Sequence, residues 1–256
     1  KCECMSRVFL VNVGSNASHS FCSPIFDDRT FEFIPIPEDR DLDPLFGIQY
    51  KQLKSFNFPE NDLMEFIPER FWGKTMHSDP EFDTFTYGDN CEVNPRASSL
   101  KTVQRGDFLL FLSRLQSWRN NKFQNEFGFY FIGYLHIDQI IKSVDCSLDS
   151  LLMDRFAINA HVRRAMSDQN LWDKFWLFGG SSWSKRFNRA VPVTREICEQ
   201  VFLTSEGLNW NWDEKRSDLQ VIGSYTRTVR PVIDQSDETQ KCRSRMLWDW
   251  INKYCD

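Results

Sequence analysis

The chain has 256 residues, 41% of them hydrophobic, and a formal net charge of −5. That length buries a substantial core, as one large domain or two small ones. The acidic balance excludes a protein that coats nucleic acid through bulk charge, so a phosphate backbone would be met by a local basic patch.

Met5-Ser6-Arg7-Val8 resembles a natural start, and residues 1–6 are expected to be a disordered or added N-terminal extension. Val8-Phe9-Leu10-Val11-Asn12-Val13 is a β-branched run ended by Gly14 and predicts a buried strand. Ser23-Pro24-Ile25-Phe26 leads into a turn at Asp27-Asp28-Arg29, and Phe31 to Pro37 alternates as an edge strand that tolerates two prolines. Residues 38–68 predict loops with a short helix near Asn61–Phe66. His77 to Asp89 is dense in ionisable and aromatic side chains, punctuated by Pro80 and Gly88, and reads as an ordered loop.

Gly106 to Leu115 and Phe127 to Ile137 predict an antiparallel pair joined by a long polar loop from Gln116 to Glu126, with Gly133 marking a bulge or close backbone approach. Residues 148–177 predict two amphipathic helices broken at Ser167-Asp168. A strand-like piece at 176–178 runs into the small-residue loop Gly179-Gly180-Ser181-Ser182. Thr194 is placed to cap a helix from Arg195 to Leu203. Residues 218–229 read as a further β piece ended by Pro231, and Lys241 to Lys253 as a C-terminal helix. Strands grouped centrally with helices inserted late predict an α+β fold over residues 7–235, with the helix of 236–256 packed on it.

The eight cysteines are scattered, with no Cys-x-x-Cys pair, which predicts a reduced, cytoplasmic protein. Cys2-x-Cys4 is too terminal for a zinc site. Asn16-Ala17-Ser18 matches a glycosylation sequon without other secretory signs. Val8 to Phe26 lacks charge, yet its Asn, Ser and His residues exclude a membrane span, and no signal peptide is expected.

The chemistry concentrates around His77 and Asp79. An imidazole serves as general base or hydrogen-bonds a heterocycle, and a carboxylate two residues away faces the same way in an extended loop. These two are the candidate catalytic residues. Asp83 and Asp89 add negative charge nearby. No metal set is predicted, because His19, His136 and His161 stand alone in the sequence, and no cofactor motif is present. Arg96 is the candidate phosphate contact. Ser181, Ser182, Lys185 and Arg186 form a candidate anion loop that lacks P-loop spacing. Arg155, Arg163, Arg164 and Arg189 complete a basic cluster on paper, for which a solvated charged face is the default. Tyr87, Trp72 and Trp183 are candidate aromatic platforms. A Gly-x-Ser-x-Gly elbow is absent, and the lone Asp-x-Lys, Asp213-Glu214-Lys215, lies in a charged turn. Serine-hydrolase and common nuclease readings are therefore disfavoured.

Arg7-Val8-Phe9-Leu10-Val11-Asn12-Val13-Gly14, then Ser23-Pro24-Ile25-Phe26-Asp27-Asp28 and Pro35-Ile36-Pro37-Glu38, resembles the opening of the nucleotide-modification-associated domain family of the third type. His77-x-Asp79-Pro80, Arg96-Ala97-Ser98-Ser99-Leu100, Gly106-Asp107 and Gly133-Tyr134-Leu135 extend the resemblance over roughly residues 7–235. Ser20-Phe21 stands where many members carry a glycine pair. The resemblance implies a bacterial or phage protein of a system that alters DNA bases. Phe108 to Phe111 followed by Phe129 to Tyr134 is also reminiscent of PUA-like barrels that hold a flipped base between rings. Three functions stay open. They are an enzyme acting on a base or nucleotide, a non-catalytic reader of modified bases, and an interaction module using exposed tryptophans. The expected partner is a nucleotide or nucleic acid, DNA foremost, and no membrane.

Overall fold

The protein is described as a computed structural model over residues 6–15 and 17–256. Its strands are β1 (Arg7–Asn12), β2 (Ser23–Ile25), β3 (Ile36–Pro37), β4 (Met76–His77), β5 (Thr86–Asp89), β6 (Phe108–Arg119), β7 (Lys122–Val144), β8 (Phe175–Gly180), β9 (Lys185–Pro192) and β10 (Arg230–Asp234). Its helices are α1 (Ser150–Phe156), α2 (Ala160–Ser167), α3 (Arg195–Val201), α4 (Asp218–Tyr225) and α5 (Lys241–Tyr254). Residues 1–5, including Cys2 and Cys4, and Asn16 of the sequon lie outside the described residues. No helix among the described residues is long and apolar enough to cross a membrane.

The fold is α+β around a large, mostly antiparallel sheet ordered β10-β1-β6-β7-β8-β5, with β2 also on β6 and β9 also on β7. The two parallel pairings are β1 and β2 along the same edge of β6. The sheet is open, so the barrel alternative does not hold. β7 pairs with β6 along its first part and with β8 along its last, and no pairing joins β10 to β5.

Three local expectations are also corrected. Gln116 to Glu126 is not a long loop: Asn120 and Asn121 alone turn the chain, with φ of 53° and 57°. Two central residues at positive φ make the turn whose twist matches its strands, and asparagine tolerates that conformation. Residues 218–225 form α4 instead of a strand, because Ser217 and Gln220 build a reciprocal capping box at its start. Thr86 to Asp89 is strand, antiparallel to β8.

β1 and β6 are buried on both faces, which explains their unbroken apolar runs. Val8, Leu10, Leu110 and Leu112 face a core closed by α3, α4 and α5. Phe9, Val11, Leu109 and Phe111 face a second core shared with Tyr87 and Phe178. The C-terminal helix joins the first core through Leu247 and Ile251, while Trp250 donates to the carbonyl of Pro192. Thr194 caps α3 as expected, accepting from the amide of Ile197.

Gly133 does mark both a register shift and a close approach. Phe111 pairs with Gly133 but Leu112 with Phe131. A Cβ at 133 would sit 2.5 Å from the carbonyl oxygen of Lys185 and 2.8 Å from Phe82. Backbone on that side cannot yield cheaply, so Gly133→Ala is expected to cost about 1–3 kcal/mol of stability, read from urea denaturation.

Candidate functional site

β5 is four residues long, and its side chains alternate across the sheet. Thr86 and Gly88 turn toward α2, and Tyr87 and Asp89 toward β1 and β6. Each face carries its own polar cluster.

On the first face, Asp79 is buried between His77 and His161, with its Oδ2 4.0 Å from His77 Nε2 and 3.7 Å from His161 Nε2. The imidazoles meet edge to face at 4.8 Å. The Gly88 amide donates to Asp79 Oδ2 at 2.8 Å, and Asn159 Nδ2 donates to Oδ1 at 3.3 Å. Asn159 also caps α2, its Oδ1 accepting from the amide of His161. Gly88 permits this approach, since a Cβ there would lie 2.6 Å from the His161 ring. Glu38 Oε1 sits 2.7 Å from His77 Nδ1, and Arg164 pairs with the same carboxylate at 3.2 Å. Burial pushes Asp79 well above the usual carboxylate range and His161 well below the usual imidazole range. Both are thereby driven toward their neutral forms. Among the described residues, His77, Asp79 and His161 are the group of ligating side chains close enough to hold one metal ion.

On the second face, Tyr87, Asp89, Asn94, Arg96, Asn12 and Arg227 line a cavity of about 360 Å³. It adjoins one of about 580 Å³ lined by Arg114, Arg216, Phe129 and Gln220, and the two share Asn12, Gly223 and Arg227. Asp89 is the one acid among the lining residues of both. The Tyr87 hydroxyl donates to its Oδ2 at 3.1 Å, while Oδ1 is sealed from solvent without a hydrogen bond. Burial raises the Asp89 carboxyl from 3.8 to about 6, and the Tyr87 hydroxyl, the charge of His77 and the Asn94 side chain pull it back. Arg114 stacks on Phe127 at 4.3 Å, and its Nε is buried without a partner.

His77 and Asp79 are thus adjacent, but Arg96 and Tyr87 open on the opposite side of β5. Arg96 is the second residue of a 3-10 segment (Pro95–Thr102) capped by Asn94, whose side chain accepts from the Arg96 amide. The small-residue loop does other work. Gly179 and Gly180 are buried in β8 against Arg155 and Ser184, and Ser181 Oγ lies 2.7 Å from His136 Nδ1. Ser182 and Trp183 are exposed, and the indole tilts over His136 at 4.8 Å. Lys185 pairs with Asp256. Arg186 lies between Phe31 and Phe56, 4.4 and 3.5 Å from their centroids, and burial lowers its pKa to about 10. Lys185 and Arg186 border a third cavity of about 650 Å³ with Phe33, Phe56, Phe82 and Phe85.

Arg155, Arg163 and Arg164 are held by Asp138, by backbone carbonyls and by Glu38, so the paper cluster is not one patch. Trp72, Trp210 and Trp212 pack inside, leaving Trp183 as the exposed tryptophan among the described residues. Sequence reasoning missed His161, Asn159, Glu38, Arg114, Arg216 and Arg227. Only the Asn159 cap before an amphipathic helix left a readable sign.

A folded-state pKa above 3.8 means the folded protein keeps a proton on Asp89 that the unfolded chain releases. The stability this group contributes is full below about pH 4 and is lost as pH rises through about 6. Asp89→Asn should abolish that loss and leave the protein more stable at about pH 8 by on the order of 2 kcal/mol. Urea denaturation at about pH 5 and about pH 8 measures it.

No curated protein and no solved structure matches this chain. A family model does, over residues 7–227, a span that contains both faces of β5 and all the groups described on them. The chain belongs to the nucleotide modification associated domain 3 family.

Proposed function

We propose that the protein binds a nucleotide, free or within an accessible nucleic-acid strand, in the joined cavities on the Tyr87–Asp89 face, as part of a nucleotide-modification system. One observation carries this reading. Arg96, Arg114, Arg216 and Arg227 line the two cavities without an ion pair to any described carboxylate, and Asp89 is the one acid beside them. In a chain of net charge −5, four uncompensated cations around one concavity favour an anionic ligand. Guanidinium forks suit phosphate oxygens, and an ionised carboxylate accepts from the amino or imino edge of a base. Asn94 adds an amide that both donates and accepts. The combined volume is of the size that ligand pockets usually have.

In this reading Arg96 and Tyr87 serve the ligand, whereas His77 and Asp79 act from behind β5. The family membership supports the nucleotide class of ligand.

Fluorescence anisotropy with a labelled single-stranded oligonucleotide, and calorimetry with nucleoside triphosphates, test it. Arg96→Ala with Arg227→Ala is expected to weaken binding about tenfold or more at low salt, with the melting temperature unchanged. The salt slope should fall by roughly 0.7 per lost phosphate contact. Affinity should rise with pH through about 6 as Asp89 ionises, and Asp89→Asn should flatten that rise. Equal affinity in wild type and the double variant would refute the reading.

A further inference from the structure

The cluster on the other face of β5 takes no part in that cavity. We propose that His77, Asp79 and His161 bind one divalent first-row transition-metal ion, of the zinc(II), manganese(II) or iron(II) class, with Glu38 as the outer carboxylate that orients His77. Their ligating atoms all lie within 4.8 Å of one another. Metal–nitrogen and metal–oxygen bonds of about 2.0–2.2 Å place two ligands of a tetrahedral ion roughly 3.4 Å apart, so the widest pair closes by about 1.4 Å on loading.

The surroundings match what a bound ion needs. Glu38, held by Arg164, sits against His77 Nδ1 at 2.7 Å. A carboxylate there accepts a hydrogen bond from Nδ1–H and leaves the Nε2 lone pair turned toward Asp79. This is the carboxylate–histidine arrangement that fixes a metal-binding tautomer. The Gly88 amide and Asn159 hold the Asp79 carboxylate in place, and Asn159 also starts the helix that presents His161. One side chain thereby fixes two ligands together. The side chains of His77 and His161 are each 12% exposed, so an ion would keep a route to solvent and positions for water or a ligand.

The electrostatics agree with the geometry. Burial disfavours both a charged Asp79 and a charged His161. An ion needs a neutral imidazole and supplies the counter-charge that a buried carboxylate lacks. Two imidazoles and one carboxylate are a borderline donor set, suited to first-row metals and unsuited to calcium.

Calorimetric titration of chelator-stripped protein with manganese(II) tests this without interference from the thiols. One ion per chain is expected, with a melting temperature that rises with ion concentration. Glu38→Gln should weaken binding by roughly 10–100-fold, and His77→Ala by more than that. Cobalt(II) should give a visible absorption band in wild type that His77→Ala abolishes. Circular dichroism confirms that the variant is folded, and His77→Gln serves if the alanine variant is not. Absence of stoichiometric uptake, or equal uptake in wild type and the His77 variant, would overturn the proposal.

Discussion

The side-chain alternation of one short strand organises both polar clusters. β5 is anchored by β8, with Thr86 opposite Gly179 and Asp89 opposite Trp176. Its even residues therefore face α2 and its odd residues face β1 and β6. A slip of one residue would exchange the two sets and place Tyr87 against His161. Gly88 reinforces the register. Its missing side chain admits the His161 ring, and its amide is spent on Asp79. The Asp79 hydrogen bond, the α2 cap and the β5–β8 ladder thus hold one another in place.

The distribution of arginine separates structural from available charge. Arg155, Arg163, Arg164 and Arg186 are engaged with carboxylates, carbonyls or rings, the first three around α1 and α2 and the last against Phe31 and Phe56. Arg96, Arg114, Arg216 and Arg227 instead line the joined cavities with no carboxylate partner, while Arg114 stacks on Phe127 and Arg216 donates to the Gln220 carbonyl. Proximity in sequence made the first group look like a patch. The second group is assembled from three separated parts of the chain, the segment of Arg96, β6 with Arg114, and the two ends of α4 with Arg216 and Arg227, so no sequence window contains it.

Much of the fold was legible because it rests on local chemistry. The apolar runs of β1 and β6, the Thr194 cap and the Gly133 approach all signal themselves within a few residues. α4 was misread because Val221, Ile222 and Tyr225 favour strands, while Ser217-x-x-Gln220, the decisive sign, is a polar pair outside the apolar run. The hairpin tip was misread because its strands are polar near Asn120-Asn121, where they extend toward solvent. His77 and Asp79 lie together because they are two residues apart in the chain, and the family resemblance is borne out over residues 7–227. His161 was missed because its partnership depends on a helix packing against a strand from a distant part of the chain. Arg96 was paired with the wrong neighbours for the same reason: a strand's two faces cannot be told apart before its register is known.

The thinness of β5 has a further consequence. Only a single layer of backbone separates the imidazole cluster from Asp89, and positive charge at His77 favours the ionised carboxylate across it. Occupancy of the two proposed sites would therefore be energetically linked, and linkage is reciprocal. Positive charge gained behind the strand makes Asp89 a better acceptor in front, and a ligand that draws on the Asp89 anion makes positive charge behind it easier to hold. The strand would then act as a shared dielectric wall between the two chambers.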